Sequence, residues 1–106
     1  EVKTLDEITT ALGHERVDVL KIDIEGGEWA AMADVLKKSL LERLDVQILL
    51  LELHVGGGFG SDVLDLVQLV EALRVQGLYV YRKEFNPLAP ACCAEYAFVR
   101  GSFMLD

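Results

Sequence analysis

Lysine and arginine are scarce in this sequence, ten in all against 18 aspartates and glutamates, for a formal net charge of −8. The basic residues are scattered, which argues against a nucleic-acid backbone or an anionic membrane surface as the main partner, since both call for clustered Lys and Arg. Long apolar runs are missing too: no stretch approaches the roughly 18 uninterrupted apolar residues of a membrane-spanning helix. The opening Glu1-Val2-Lys3-Thr4 has neither the layout of a signal peptide nor an initiator methionine, which suggests a processed or excised piece. Cysteine is limited to the neighbours Cys92 and Cys93. Adjacent thiols seldom bond to each other because the ring is strained, and two thiols alone make a poor zinc site, so both are read as packed or idle. They leave the compartment open. No internal repeat, low-complexity tract or interdomain linker interrupts the chain.

What the sequence does have is apolar residues, 52% of 106, enough to build a core for one small domain or for part of a larger one. Thr4-Leu5-Asp6-Glu7 fits a capping box and predicts a short helix ending near Leu12, with Leu5, Ile8 and Leu12 on one face and Gly13 closing the turn. Residues 17–22 read as an apolar, β-branched strand running into Asp23, Glu25, the pair Gly26-Gly27 and a helix. A strand apolar on both faces predicts a parallel sheet with helices above and below, and in such sheets the carboxyl ends of the strands bind ligands. Trp29, Met32 or Ala33, Leu36 and Leu40 recur at helical spacing and predict one helix over 28–43.

Residues 46–55 form a second near-continuous apolar run, read as a buried parallel strand, whose Glu52 and His54 lie two apart and so share a side. A glycine-rich loop over 56–60 follows, with Ser61 as a cap for a helix buried through Val63, Leu66, Val67, Val70 and Leu73 and ended by Gly77. Residues 78–84 read as a third strand, 86–90 as a rigid loop, and 96–100 as a fourth strand returning beside the third. This order predicts an α/β fold: a doubly wound sheet, mostly parallel, with one antiparallel strand near the edge. The outer flank of the strand at 17–22 would be left open, which suggests that earlier strands are missing.

The chemistry collects at strand ends. Asp23 needs a reason to end a buried strand as a carboxylate. His54 suits general-base work near neutral pH, although a strand-end histidine is explained as readily by a hydrogen bond to backbone. Glu28, and in part Glu25, are read as favouring a helix N-terminus electrostatically. Trp29 reads as core and His14 as solvated, while Phe85, Asn86 and Tyr96 fit an acceptor pocket or simple loop packing equally well. The loop at 56–60 lacks the spacing of a dinucleotide-binding turn.

Taken together, Thr4-Leu5-Asp6-Glu7, the run Lys21-Ile22-Asp23-Ile24-Glu25-Gly26 with Glu28, and Leu51-Glu52-Leu53-His54 resemble the C-terminal half of FkbM-type S-adenosylmethionine-dependent methyltransferases. The tail from Lys83 through Phe98 is closer to the animal branch that includes methyltransferase-like protein 24. The resemblance implies that 1–106 is the C-terminal half of a single Rossmann-like class I methyltransferase domain. Its strands would be the fourth to seventh of a seven-stranded sheet, with the last inserted antiparallel between the fifth and sixth. The glycine-rich turn of the first strand and the acidic residue that holds the cofactor ribose have no counterpart here.

It further implies methyl transfer from S-adenosylmethionine to an oxygen or nitrogen of a small-molecule, sugar or protein acceptor. Asp23 would lie nearest the cofactor methyl group, Glu25 would orient the acceptor or take its proton, and Glu52 and His54 would face the same crevice. By analogy with catechol-type methyltransferases, Asp23, Glu52 and His54 could together hold Mg²⁺ or a similar divalent ion. The alternative is a non-catalytic α/β domain that binds a protein partner, or a second copy of itself, through its exposed sheet edge.

Overall fold

The computed structural model describes residues 4–23, 27–55, 63–85, 87–88 and 93–104. Within them the elements are α1 (Leu5–Leu12), β1 (Val19–Ile22), α2 (Glu28–Lys37), α3 (Leu40–Arg43), β2 (Ile48–His54), α4 (Val63–Val75), β3 (Leu78–Phe85), β4 (Cys93–Arg100) and α5 (Gly101–Met104). No described helix is long and apolar enough to cross a membrane.

Helix α1 starts as its sequence dictates. The Glu7 amide donates to Thr4 Oγ1 (3.2 Å) and the Thr4 amide donates to Glu7 Oε1 (3.1 Å), so two amides that a helix start leaves without partners are satisfied reciprocally. Gly13 ends it at φ 71°. The expected apolar face is only loosely covered: Leu5 is half-buried, Ile8 and Leu12 are exposed, and the buried residue is Thr9, whose hydroxyl donates to the Leu5 carbonyl.

The expected single helix over 28–43 is two. Ser39 takes a left-handed φ of 53°, which turns the chain out of α2 and drives Leu40, Leu41 and Leu44 into the core. In α4 the buried line is Leu69 and Leu73, flanked by half-buried Leu66 and Val70. Val63 and Val67, expected in that stripe, are 68% and 57% exposed. Positions i, i+3, i+4 and i+7 starting at Leu66 define the core side, and Val63 and Val67 fall outside it. The proposed cap Ser61 and the loop at 56–60 lie outside the described residues.

Among the described residues the four strands form one sheet in the order β1-β2-β4-β3. Strand β4 thus enters between β2 and β3, as the resemblance implies for a last strand. The expectation of a mostly parallel sheet is corrected: β1 and β2 pair in parallel, but β2 with β4 and β3 with β4 pair antiparallel. The reason is placement. An antiparallel strand in the interior, rather than at the edge, turns both of its neighbouring pairings antiparallel.

Packing is one-sided. Leu49, Leu51 and Leu53 of β2 and Ala94, Tyr96 and Phe98 of β4 join Met32, Val35, Leu40, Leu41, Leu69 and Leu73 from the helices in one core, against which Leu20 and Ile22 of β1 also pack. Of the alternate residues, Ile48, Leu50, Glu52, Glu95 and Ala97 are half-buried, Cys93 and Val99 toward the two ends of β4 are buried, and Val19 and Lys21 are exposed. The reading of β1 as apolar on both faces and covered on both therefore fails: it alternates between exposed and half-buried. β1 and β3 form the two edges; β3 carries Arg82, Lys83 and Glu84 and a register shift between Val80 and Arg82, both of which discourage further strand pairing.

The end of the sheet away from the strand-end carboxylates is held by Arg100. Its Nε donates to the Val46 carbonyl (2.8 Å), Nη1 to the Gln76 carbonyl (3.1 Å) and Nη2 to the Leu41 carbonyl (2.9 Å). One guanidinium thereby joins the end of β4 to the approach to β2, to the turn after α4 and to α3.

Candidate active site

Parallel pairing fixes which ends meet. Ile22 of β1 lies opposite Leu51 of β2, so Asp23, one residue on, and Glu52 and His54 stand at the same, carboxyl, end of neighbouring strands. That is where ligands bind in open α/β sheets. Asp23 is exposed and lines a groove of about 570 Å³ between α1, β1 and α2, together with Leu5, Ile8, Leu20, Lys21, Ile22, Ala31 and Val35. Glu52 lines a different depression of about 190 Å³ with Glu84, Phe85, Pro87 and Glu95. The acidic strand ends thus share an end of the sheet while opening onto separate hollows. Glu25 and Asn86 lie outside the described residues.

His54 is the most tightly held of the expected site residues. It is buried, and Glu28, reading 0% exposed at the first position of α2, reaches across to it. A single Glu28 oxygen, Oε1, accepts the His54 backbone N–H at 2.9 Å and lies 2.7 Å from His54 Nδ1. The next residue, Trp29, donates its indole N–H to the His54 carbonyl at 2.9 Å. On the other side of the ring, Nε2 lies 3.8 Å from Glu52 Oε1. A carboxylate accepts hydrogen bonds, so an Nδ1 that carries the ring proton donates it to Glu28 Oε1 at this distance.

Sequence reasoning missed Glu28. Its position at a helix start is as expected, but its carboxylate turns into the sheet end. The signal that could have found it is its place in the acidic run, three residues after Glu25. Trp29 is half-buried against the core, as read, with the added bond to His54. Tyr96 is buried and stacks on Phe98, so of its two readings the packing one describes it; Phe85 is exposed, with the Lys83 ammonium 4.6 Å from its ring. His14 is exposed, as read.

The expected divalent-metal set does not assemble. Among the described residues no group of three or more His, Cys, Asp or Glu side chains is placed to hold a metal ion. His54 Nδ1 is committed to Glu28, and Asp23 opens onto another hollow than Glu52. The expectation of idle thiols also fails for Cys93, which lies opposite His54 on β4 and is disulfide-bonded; Cys92 is outside the described residues.

A stretch of 52 residues, 49% of this chain, is 33% identical to the rat and human proteins described as "probable methyltransferase-like protein 24". The matched stretch spans 14% of the length of each of those relatives. No solved structure matches the chain. The methyltransferase FkbM domain matches residues 1–78, which include β1, β2, Asp23, Glu28, Glu52 and His54, and the chain belongs to that family.

Proposed function

We propose that this chain forms part of an S-adenosylmethionine-dependent methyltransferase whose reaction takes place at the carboxyl ends of β1 and β2, on an oxygen or nitrogen acceptor. The observation that carries this reading, beside family membership, is the parallel register of Ile22 with Leu51, which brings Asp23, Glu52 and His54 to one end of the sheet. The donor supplies a methyl group on a positively charged sulfur.

The residues present fit part of such a donor. Exposed Asp23 offers negative charge to a cation, and the groove beside it, lined mainly by Leu5, Ile8, Leu20, Ile22, Ala31 and Val35, suits an apolar or aromatic portion of a ligand. His54 accepts the acceptor's proton at Nε2, and Glu52 steadies the charge that results. Glu25 orients the acceptor or shares in that proton transfer. The acceptor is a small molecule, a sugar or a protein side chain.

The test is titration calorimetry of the full protein carrying this chain with S-adenosylmethionine. Binding is expected, and Asp23→Asn should weaken it about tenfold, in line with an interaction of roughly 1–2 kcal/mol between opposite charges near a surface. A protein that neither binds the donor nor transfers methyl would refute this reading and leave a partner-binding α/β domain.

A further inference from the structure

We propose that Glu28 is a positioning residue that acts through His54: it holds the imidazole as the Nδ1–H form and directs Nε2 toward the Glu52 side of the sheet end. This inference rests on the methyl-transfer reading above. It assigns a role to a residue whose sequence context suggests only helix stabilisation.

Three observations carry it. First, a carboxylate serving only the helix N-terminus gains from staying near its own first-turn amides and solvent. The side chain of Glu28 instead spans to a residue 26 positions away and is fully buried there. Second, its Oε1 meets two groups of the same residue, the backbone N–H at 2.9 Å and Nδ1 at 2.7 Å, so it fixes both where His54 sits and how its ring is turned. Third, Trp29 holds the carbonyl of the same residue at 2.9 Å. Two consecutive residues at the start of α2 thus clamp amide, carbonyl and ring of the last residue of β2.

The chemistry follows from the geometry. A histidine with Nδ1–H tied to a carboxylate can take a proton only at Nε2. Here Nε2 is the nitrogen on the side of Glu52, 3.8 Å away, at the carboxyl end of the strand where the acceptor would stand. As an acceptor O–H or N–H is methylated, its new O–C or N–C bond would form while the donor's S–CH3 bond breaks and S-adenosylhomocysteine leaves, and the acceptor's proton would pass to Nε2 and later to solvent.

The experiment has two arms on the full protein carrying this chain. In the first, long-range ¹H–¹⁵N correlation of ¹⁵N-histidine-labelled protein reads the state of the His54 ring, without donor or acceptor. A protonated Nδ1 with a pyridine-type Nε2 is expected; an Nε2–H form overturns the proposal. In the second, release of S-adenosylhomocysteine is followed with S-adenosylmethionine and catechol, glucose and ethanolamine as acceptor probes.

Glu28→Gln keeps the shape and removes the charge. It should lower kcat about 100-fold or more with the KM for S-adenosylmethionine unchanged, and should have no further effect in a His54→Ala background. A kcat within about threefold of wild type, or equal losses in both backgrounds, overturns it. If no probe is methylated by the wild type, the methyl-transfer reading loses its support, whereas the ring state still decides whether Glu28 sets the orientation of His54. Should Glu28→Gln fail to fold, the first arm decides alone.

Discussion

Replacing Arg100 by methionine should destabilise the protein by about 3–4 kcal/mol. The side chain is 15% exposed and its guanidinium donates to the carbonyls of Val46, Gln76 and Leu41 at 2.8, 3.1 and 2.9 Å. A hydrogen bond from a charged donor contributes roughly 1.5–3 kcal/mol net, and a buried carbonyl left without a partner costs about as much. The three losses are unequal. The Leu41 oxygen keeps the bond it accepts from the Val46 amide at 3.0 Å, so most of the cost falls on Val46 and Gln76, and two losses of about 1.5–2 kcal/mol each give the total. Methionine is chosen because it keeps the apolar stem packed, so that the change reports hydrogen bonds rather than a cavity.

Urea unfolding of the full protein reads the effect as a lower midpoint at unchanged slope. Arg100→Lys should fall between, since one ammonium cannot reach three divergent carbonyls. A loss below about 1 kcal/mol for the methionine variant would refute the account of Arg100 as the joint between β4, α3 and the turn after α4.

Gly77→Ala should destabilise the fold by about 1–2 kcal/mol, read as a lower urea midpoint, because Gly77 has φ +87° and a Cβ there would stand 3.0 Å from Arg100 Nη1. An unchanged midpoint would mean that the turn relaxes freely. Thr4→Ala should speed amide exchange in α1, with a cost of about 1 kcal/mol. The effect should fade in acid: the Glu7 carboxyl lies below its ordinary range because the Thr4 backbone N–H and then the Thr4 hydroxyl bond to it. A carboxyl lowered in the folded state stabilises above its unfolded value, and that contribution disappears as pH falls through the lower, folded one. Equal exchange effects at neutral and acid pH would contradict the capping role.

Much of the local structure is legible because short-range rules decide it. The Thr4-Leu5-Asp6-Glu7 start of α1, its Gly13 end and the strand character of β1 and β2 follow from residues within a few positions of each other. The break between α2 and α3 is not legible. Ser39 is an ordinary residue in a helical pattern, and its left-handed φ is imposed by the need to bury Leu40, Leu41 and Leu44 against the sheet. The stripe expected in α4 holds at Leu66, Val70 and Leu73 and fails at Val63 and Val67, which are as apolar as the residues that are buried, so only the neighbouring surface selects among them.

The sequence by itself determined the order of the four strands and of α1, α2 and α4 beside them, the acidic and imidazole strand ends, and membership of the FkbM family, because each rests on residue types and spacings along the chain. The residue pattern alone put the antiparallel strand near the edge; its interior place was implied by the family resemblance, and only the tertiary structure decided that the main core occupies one face. It alone decided that Glu28 turns away from solvent to grip His54, and that Asp23 and Glu52 open onto separate hollows. Partners 26 residues apart in the chain are chosen by how helix and strand are stacked, and no local pattern encodes that choice.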